Sequence, residues 1–538
     1  MSVVTSTALS SAQLSIECPQ EQPGASKADD LSPGLAGQVA RGSLWSFGGQ
    51  IITLMISFAT TPMVIRLLGT EAYGVLTLVN LMIGYLAFAD LGMGTASTRF
   101  GAVAHARGDN AEEASAIWTA LLVGLLPSVV IALLFAATAH LLVEHGLHLP
   151  SHLHAVATTA LQLAAFGFVA RCAASVLNTP QLTRLRLGLN AAINTVCNVL
   201  QIALVPAALL VRRDVVVAVA VIASVNVIAA AIHGRYAGLL LPELRRPRLR
   251  AGLINPMVRF GGALVVSSLS AFVIVNAEKA LLTRFAGVKA LAHYSVALTL
   301  AGLLGIAPLA LTQALVPAFA RLQANGKQRD LQALYTLALR GSLLWVAPVA
   351  WMLSLCAKPF LTIWAGTEYG RESVVPFYVL IVGLAFNVIA YVPYSLLTAI
   401  GKTGWTARCH LVELVPYVIL AALLTARLGA VGAALASSLR LISTLPLFAF
   451  LAGRAAGLSF TLFGAGHKSF LIALLVLTLP ALLLSGWLTS VAALVAVGML
   501  SLAGYGFLVW RNVLICKERE WLGQQMQFIS ARFARSAV

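Results

Sequence analysis

Apolar residues do not alternate along this chain or mark one face of scattered helices. They fill it in blocks of about 20, the length a helix needs to cross the hydrocarbon core of a bilayer. Fourteen such blocks can be marked, at about 44–66, 75–98, 116–143, 155–178, 187–211, 215–240, 260–283, 291–316, 337–357, 375–399, 405–426, 429–452, 468–488 and 490–510. In lipid only helices and closed barrels satisfy their own backbone, and apolar runs this long and even are helices. The pattern therefore predicts an all-α, polytopic membrane protein with about 14 transmembrane helices. Residues 1–40 are polar and lack a long apolar core, so they read as a disordered cytoplasmic tail and not a signal peptide. From Arg511 onward, charges alternate with Trp521, Phe528 and Phe533, which suggests an amphipathic helix on the inner membrane surface over 512–538.

Composition agrees: of 538 residues 59% are hydrophobic and 10% charged, and the mean hydropathy is +0.89. The net charge of +17 would suit a nucleic-acid partner if the basic residues formed one patch. They sit instead in alternate loops. With a cytoplasmic N-terminus, 25 of the 36 Lys and Arg fall inside, 8 outside, and three (Arg171, Lys279, Arg440) within helices. This positive-inside pattern puts both termini in the cytoplasm and excludes nucleic acid as the reason for the charge. The densest cluster, LPELRRPRLR at 241–250, reads as an anchor to anionic lipid headgroups. Six scattered cysteines imply neither a disulfide nor a zinc site. His140, Glu144, His145, His148, His152 and His154 cluster around one outside loop, but their spacing matches no common metal site. No cofactor is called for.

The chain repeats itself. At an offset of 218 residues, RLLGTEAYGVLTL (66–78) lies over RFAGVKALAHYSV (284–296), setting Arg66 on Arg284 and Gly69 on Gly287. The same offset sets Gly108 of HARGDNAEEA on Gly326 of QANGKQRDLQ. Further matches, 177–187 with 396–406 and 223–228 with 437–442, keep the order across six helices. Two six-helix repeats follow, 41–241 and 257–454, joined by a basic linker at 242–256. Helices 13 and 14 (455–511) are appended. Because six is even, both halves enter from one side, and a site between them is expected.

Polar residues within the spans are candidates for that site, since lipid penalises them. Asn190, Asn194, Asn198 and Gln201 form one face of the fifth span, either a hydrated wall or interhelical glue. Arg171 shares a face with Gly167, Ser175 and Asn178; Arg440, near mid-helix, shares one with Ser437 and Thr444. A guanidinium there either pairs with an acid or presents its planar fork to a diphosphate. In NAEKALLTRF (276–285), Lys279 shares a face with Asn276 and Thr283, whereas Glu278 points about 100° away. Lys279 either snorkels outward or meets the diphosphate after it has crossed. Glu278 is either the ion partner of a neighbouring helix or a proton-sensitive latch between the halves. Asp90 and Arg171 lie at similar depth, so a pair is geometrically possible. Glu413, close to Pro416, is a candidate proton carrier or a hydrogen-bonded neutral acid. Tyr391 and Tyr394, with Asn387 and Thr398, either stack on sugar rings or fill the bundle.

The stretch 41–102 carries Arg66 to Gly69, Tyr73-Gly74 and Asp90 to Gly92. With NAEKALLTRFAGVKALAHYSVALTL (276–300) and TAIGKTGW (398–405), it resembles the polysaccharide-transporter branch of the multidrug/oligosaccharidyl-lipid/polysaccharide flippase superfamily. The resemblance covers about 40–511. It implies a V-shaped bundle in the bacterial inner membrane that moves undecaprenyl-diphosphate-linked oligosaccharide from the inner to the outer leaflet. Coupling to an ion gradient, and a polysaccharide polymerase complex as a further partner, are expected with it. Three alternatives stay open. A cation-coupled drug exporter of the superfamily should have an acidic cavity. A lipid II flippase characteristically has charges in its first helix, where this chain has none between Arg41 and Arg66. A polytopic glycan polymerase or ligase needs catalytic acids on a sizeable loop, and none of the loops is long enough.

Overall fold

The computed structural model describes residues 33–146, 149–184, 186–305, 315–316, 318–323, 325–458 and 491–509. The tail 1–32, the span 468–488 and the C-terminal segment 512–538 lie outside the described residues. Everything described is helix or short connection, with no strand among the described residues. The first lobe comprises α1 (Pro33–Leu68), α2 (Thr70–Tyr85), α3 (Met93–Ala106), α4 (Asn110–Leu141), α5 (His154–Leu177), the short α6 (Thr179–Thr183), α7 (Leu187–Val211) and α8 (Val215–Leu240). The second comprises α9 (Ala251–Gly302), α10 (Gln328–Trp364), the short α11 (Thr367–Glu372), α12 (Val374–Ala399) and α13 (Thr403–Ala456). Last comes α14 (Val491–Leu508).

Eight helices of the described residues are long and apolar enough to cross a membrane. Two of the longest are hairpins. α9 turns at Gly287 (φ 82°, ψ 176°), and the Tyr294 hydroxyl reaches Glu278 at 3.2 Å. Sixteen residues of straight helix would hold those two about 24 Å apart. α13 turns at Gly429 (φ 55°, ψ −130°), bringing Gly432 against the Leu424 carbonyl. Both conformations are open to glycine and strained for other residues.

Two elements differ from the hydropathy reading. α1 starts at Pro33, inside the segment read as a tail. The second span is two pieces: α2, a 3₁₀ turn over Leu86–Asp90, and α3, parted by positive φ at Leu91 (52°) and Gly92 (66°). Hydropathy cannot see this break, because Leu91 is as apolar as its neighbours. Its cause is packing: the Leu91 carbonyl lies against Gly261 of α9, so closely that a Cβ at 261 would overlap it.

The internal repeat is visible in the backbone. Gly69 and Gly287 have φ of 79° and 82°, and Gly108 and Gly326 have 73° and 65°. Packing repeats too: α1 lies on α7 and α5 on α8, as α9 lies on α13 and α12 on α13. Each lobe has its own apolar core. At one end, however, Val288 and Leu291 of α9 join the first lobe's core, while Ile65 of α1 joins the second's. The opposite end of the first lobe is pinned by Glu113, which is fully buried. It accepts two bonds from Arg184, at 2.6 and 3.0 Å, and one from the Thr183 hydroxyl at 2.9 Å. Burying a carboxylate this way is tolerable only because its oxygens are so fully satisfied.

Candidate substrate cleft and lobe closure

α2 of the first lobe faces the α9 hairpin of the second, and between them lies a recess of about 280 Å³. Tyr73, Leu76, Thr77 and Asn80 line it from α2; Lys279, Ser295, Leu298 and Thr299 line it from α9. The helical spacing explains the set: 73, 76, 77 and 80 are one face of α2, and 295, 298 and 299 one face of the returning arm of α9. Lys279 is the one charged residue in this lining, and it donates to Asn276 Oδ1 at 2.8 Å. The recess is therefore positive and carries no acid.

Glu278 faces the other way, into the second lobe, and is 2% exposed. Its two oxygens accept from the hydroxyls of Tyr417, at 2.5 Å, and Tyr294, at 3.2 Å. The Arg440 guanidinium lies over the Tyr417 ring, 5.2 Å from its centroid. Glu278 thus touches neither its neighbour Lys279 nor the first lobe: two tyrosines hold it, with a cation behind one of them.

Above the recess the lobes are tied together. Glu71 pairs with Lys289 at 3.0 Å and with His152 at 3.0 Å. The Thr70 hydroxyl donates to Glu368 at 2.7 Å, and His293 lies 3.4 Å from the same carboxylate. Arg66 donates to the Ile363 carbonyl at 2.7 Å, and the Trp364 indole to the Phe58 carbonyl at 3.0 Å. Phe58 stacks on both Phe360 and Trp364. Gly74 lies directly against the Val288 carbonyl, leaving no room for a side chain. The hydrogen bond from His152, then Lys289, holds the Glu71 carboxyl below the usual range, so it is charged wherever this end meets water at neutral pH. Glu71 and Lys289 are equivalent positions of the two repeats, so this ion pair sits on the pseudo-two-fold axis.

The remaining candidates are dispersed. Asp90 accepts from the Gly92 N–H at 2.8 Å, stabilising the break after the 3₁₀ turn, and forms no ion pair with Arg171, which is exposed on α5. Asn194 donates to Asn190 at 3.3 Å; Asn194 and Asn198 are exposed on α7, and none of the three lines the recess. Tyr391 and Tyr394 pack edge to face, and Tyr394 stacks on Phe448. Glu413 lies 3.5 Å from His410 on its own helix. Sequence reasoning missed Asn80 and Ser295 in the recess, Tyr294 and Tyr417 around Glu278, and the ties that close the lobes. One signal was present: the 218-residue offset sets Glu71 on Lys289.

Two six-helix lobes meeting at one end over a polar recess define a membrane transporter fold of the multidrug/oligosaccharidyl-lipid/polysaccharide class. Solved structures share it. The lipid II flippase MurJ, inward closed, superposes with a TM-score of 0.68 over 88% of this chain and 99% of that one, at 11% identity. An inward-facing multidrug resistance MATE family transporter superposes at 0.61 over 76% and 96%, at 13% identity. Residues 39–323 match the family described as "Polysaccharide biosynthesis protein", and the chain belongs to that family. It is also 25% identical over 418 residues to a Shigella flexneri protein named "Putative O-antigen transporter", covering 75% of this chain and 95% of that one. These relatives are named as transporters and flippases, not enzymes.

Proposed function

We propose that this protein flips an undecaprenyl-diphosphate-linked oligosaccharide, such as an O-antigen, capsule or exopolysaccharide repeat unit, from the cytoplasmic to the periplasmic leaflet. The observation that carries the reading is the recess: Lys279 is the one charged residue in its lining, and it stands between two lobes tied at one end. A positive, acid-free cleft selects anionic cargo and disfavours a cation exporter. The positive-inside distribution makes the tied end periplasmic and both termini cytoplasmic. The cargo's diphosphate meets Lys279 while the periplasmic end is shut; separation of Glu71 from Lys289 and of Thr70 from Glu368 then opens the outward path. Glu278 couples this to an ion gradient, because a change of its charge alters the Tyr294–Tyr417 contact across the α9 hairpin. Arg440 acts through Tyr417. The family match and the Shigella flexneri relative support the glycan class of cargo.

Proteoliposomes test this. Purified protein should carry fluorescent lipid-linked oligosaccharide to the opposite leaflet without altering it on thin-layer chromatography, and Lys279→Ala should stop it. Chemical conversion of the lipid would overturn the reading in favour of a polymerase or ligase. Equal transfer by Lys279→Ala would remove the recess from the route.

A further inference from the structure

We propose that the recess is a phosphoryl-binding seat in which Asn80 and Ser295, not a second cationic side chain, complete the coordination that Lys279 begins. The inference rests on the flippase reading and assigns ligands within its cleft.

The hydroxyls and amides around the recess are not equivalent. A phosphoryl group offers acceptors only, so its partners must have protons to give. Thr77 and Thr299 have spent theirs: the Thr77 hydroxyl donates to the Tyr73 carbonyl at 3.0 Å and Thr299 to the Ser295 carbonyl at 2.8 Å. Ser295 has not. Its residue is 9% exposed, yet Oγ is buried without a hydrogen-bond partner. Leaving a buried hydroxyl unpaired is costly, and native folds rarely do so except where a ligand or water completes the site. Asn80 on α2 lines the recess with no intramolecular hydrogen bond, so its amide is also free to donate. Lys279 gives one of its three protons to Asn276 and keeps two.

These donors come from both lobes, Asn80 from the first, Lys279 and Ser295 from the second. A phosphoryl group held by all three bridges the lobes while they are closed and loses Asn80 as they part. Affinity therefore falls in the step that opens the exit, without any change of charge. At about 280 Å³ the recess is below the roughly 300–1,000 Å³ of drug-sized sites. It takes a phosphoryl group and leaves the glycan outside.

The test uses the purified full-length protein and radiolabelled inorganic diphosphate as the probe, by equilibrium binding at neutral pH. Ser295→Ala and Asn80→Leu should each raise Kd about tenfold or more, since each removes a hydrogen bond to a charged group. Ser295→Thr, which keeps the hydroxyl, should retain most of the affinity. Thr299→Val should change it less than about twofold, because that proton is already committed. Undecaprenyl diphosphate should displace the probe, and phosphatidylglycerol in nanodiscs should not; displacement by phosphatidylglycerol alone would overturn the cargo assignment and make this a lipid-headgroup site. If Lys279→Ala abolishes binding while Ser295→Ala and Asn80→Leu bind as wild type does, the seat is refuted and the flippase reading stands. If the wild type binds no diphosphate yet flips labelled lipid-linked oligosaccharide, the seat again fails alone. Failure to flip that lipid under any gradient removes the reading on which both rest.

Discussion

Replacing Tyr417 by Phe removes a single oxygen from the second lobe, and that oxygen is the closer of two holding a buried carboxylate. Glu278 is 2% exposed and receives the Tyr417 hydroxyl at 2.5 Å and the Tyr294 hydroxyl at 3.2 Å. The ring remains in Tyr417→Phe, so packing against Ala277 and Ala421 persists and the Arg440 guanidinium keeps an aromatic face. What is lost is one hydrogen bond to a charged group in a dry site, about 1.5–3 kcal/mol. Tyr294→Phe should cost less, because 3.2 Å lies beyond the usual 2.5–3.0 Å range of O–H···O bonds. Glu278→Gln keeps one acceptor but turns an N–H₂ toward a hydroxyl. It should therefore be destabilised in the wild-type background and nearly neutral when Tyr417→Phe is present. The double-mutant cycle between 278 and 417 should thus show a coupling of about 1 kcal/mol or more. The assay is unfolding of the detergent-solubilised protein followed by intrinsic fluorescence, with each variant's transport measured alongside. The reasoning fails if Tyr294→Phe costs more than Tyr417→Phe, or if the cycle closes with no coupling.

The ion pair on the pseudo-two-fold axis should tolerate reversal: Glu71→Lys and Lys289→Glu should each open the tied end, and the double variant should close it again. Spin-label distances between Val211→Cys and Lys358→Cys would report this, and raised salt should mimic the single variants, the pair being exposed. Because His152, then Lys289, lower the Glu71 pKa, closure gains stability above the ordinary carboxylate range and loses it only as pH falls through the lowered value. The same distances should hold down to about pH 4 and lengthen below it. Arg440→Ala should abolish flipping while Arg440→Lys retains part of it, read in proteoliposomes, since the lysine keeps the charge behind Tyr417 without the planar fork. Arg184→Ala should destabilise the first lobe by about 3–5 kcal/mol by stranding the buried Glu113 carboxylate, whereas an exposed arginine such as Arg212 should be replaceable with little effect.

The membrane imposes a length and a polarity on every crossing segment, so the helices were legible from hydropathy alone. Their breaks were legible only where glycine marks them. Gly69 and Gly287 announced the turns at the tied end, but the break at Leu91–Gly92 comes from an approach by Gly261, 169 residues away. The functional residues divide the same way. Charge made Glu278, Lys279 and Arg440 conspicuous, and helical spacing correctly parted Glu278 from Lys279. Asp90 was conspicuous too, yet a local demand claimed it: the Gly92 N–H beside the chain break takes its carboxyl. Asn80 and Ser295 are single polar residues in long apolar runs. Nothing in their own helices distinguishes them from Thr77 and Thr299, and only the opposing lobe makes them part of a site.

One long-range contact was nevertheless encoded. In a parallel duplication, residues close to the pseudo-two-fold axis approach their own repeat equivalents, much as a residue on the axis of a symmetric dimer meets its copy. Identical charges at such a position would repel and hold the end open. Here the two copies have opposite signs, Glu71 and Lys289, and they lie 3.0 Å apart. An internal alignment of a duplicated transporter thus carries information about contacts between its halves: wherever equivalent positions hold complementary charges, the axis is expected to pass between them. By the same rule Tyr73 and Leu291, two positions further along each repeat, should lie beside the axis, and both belong to or pack against the apolar cluster that joins the lobes. The tied end is therefore a place where the two repeats had to become different in order to close, while the glycines flanking it, Gly69 and Gly287, had to stay the same in order to turn.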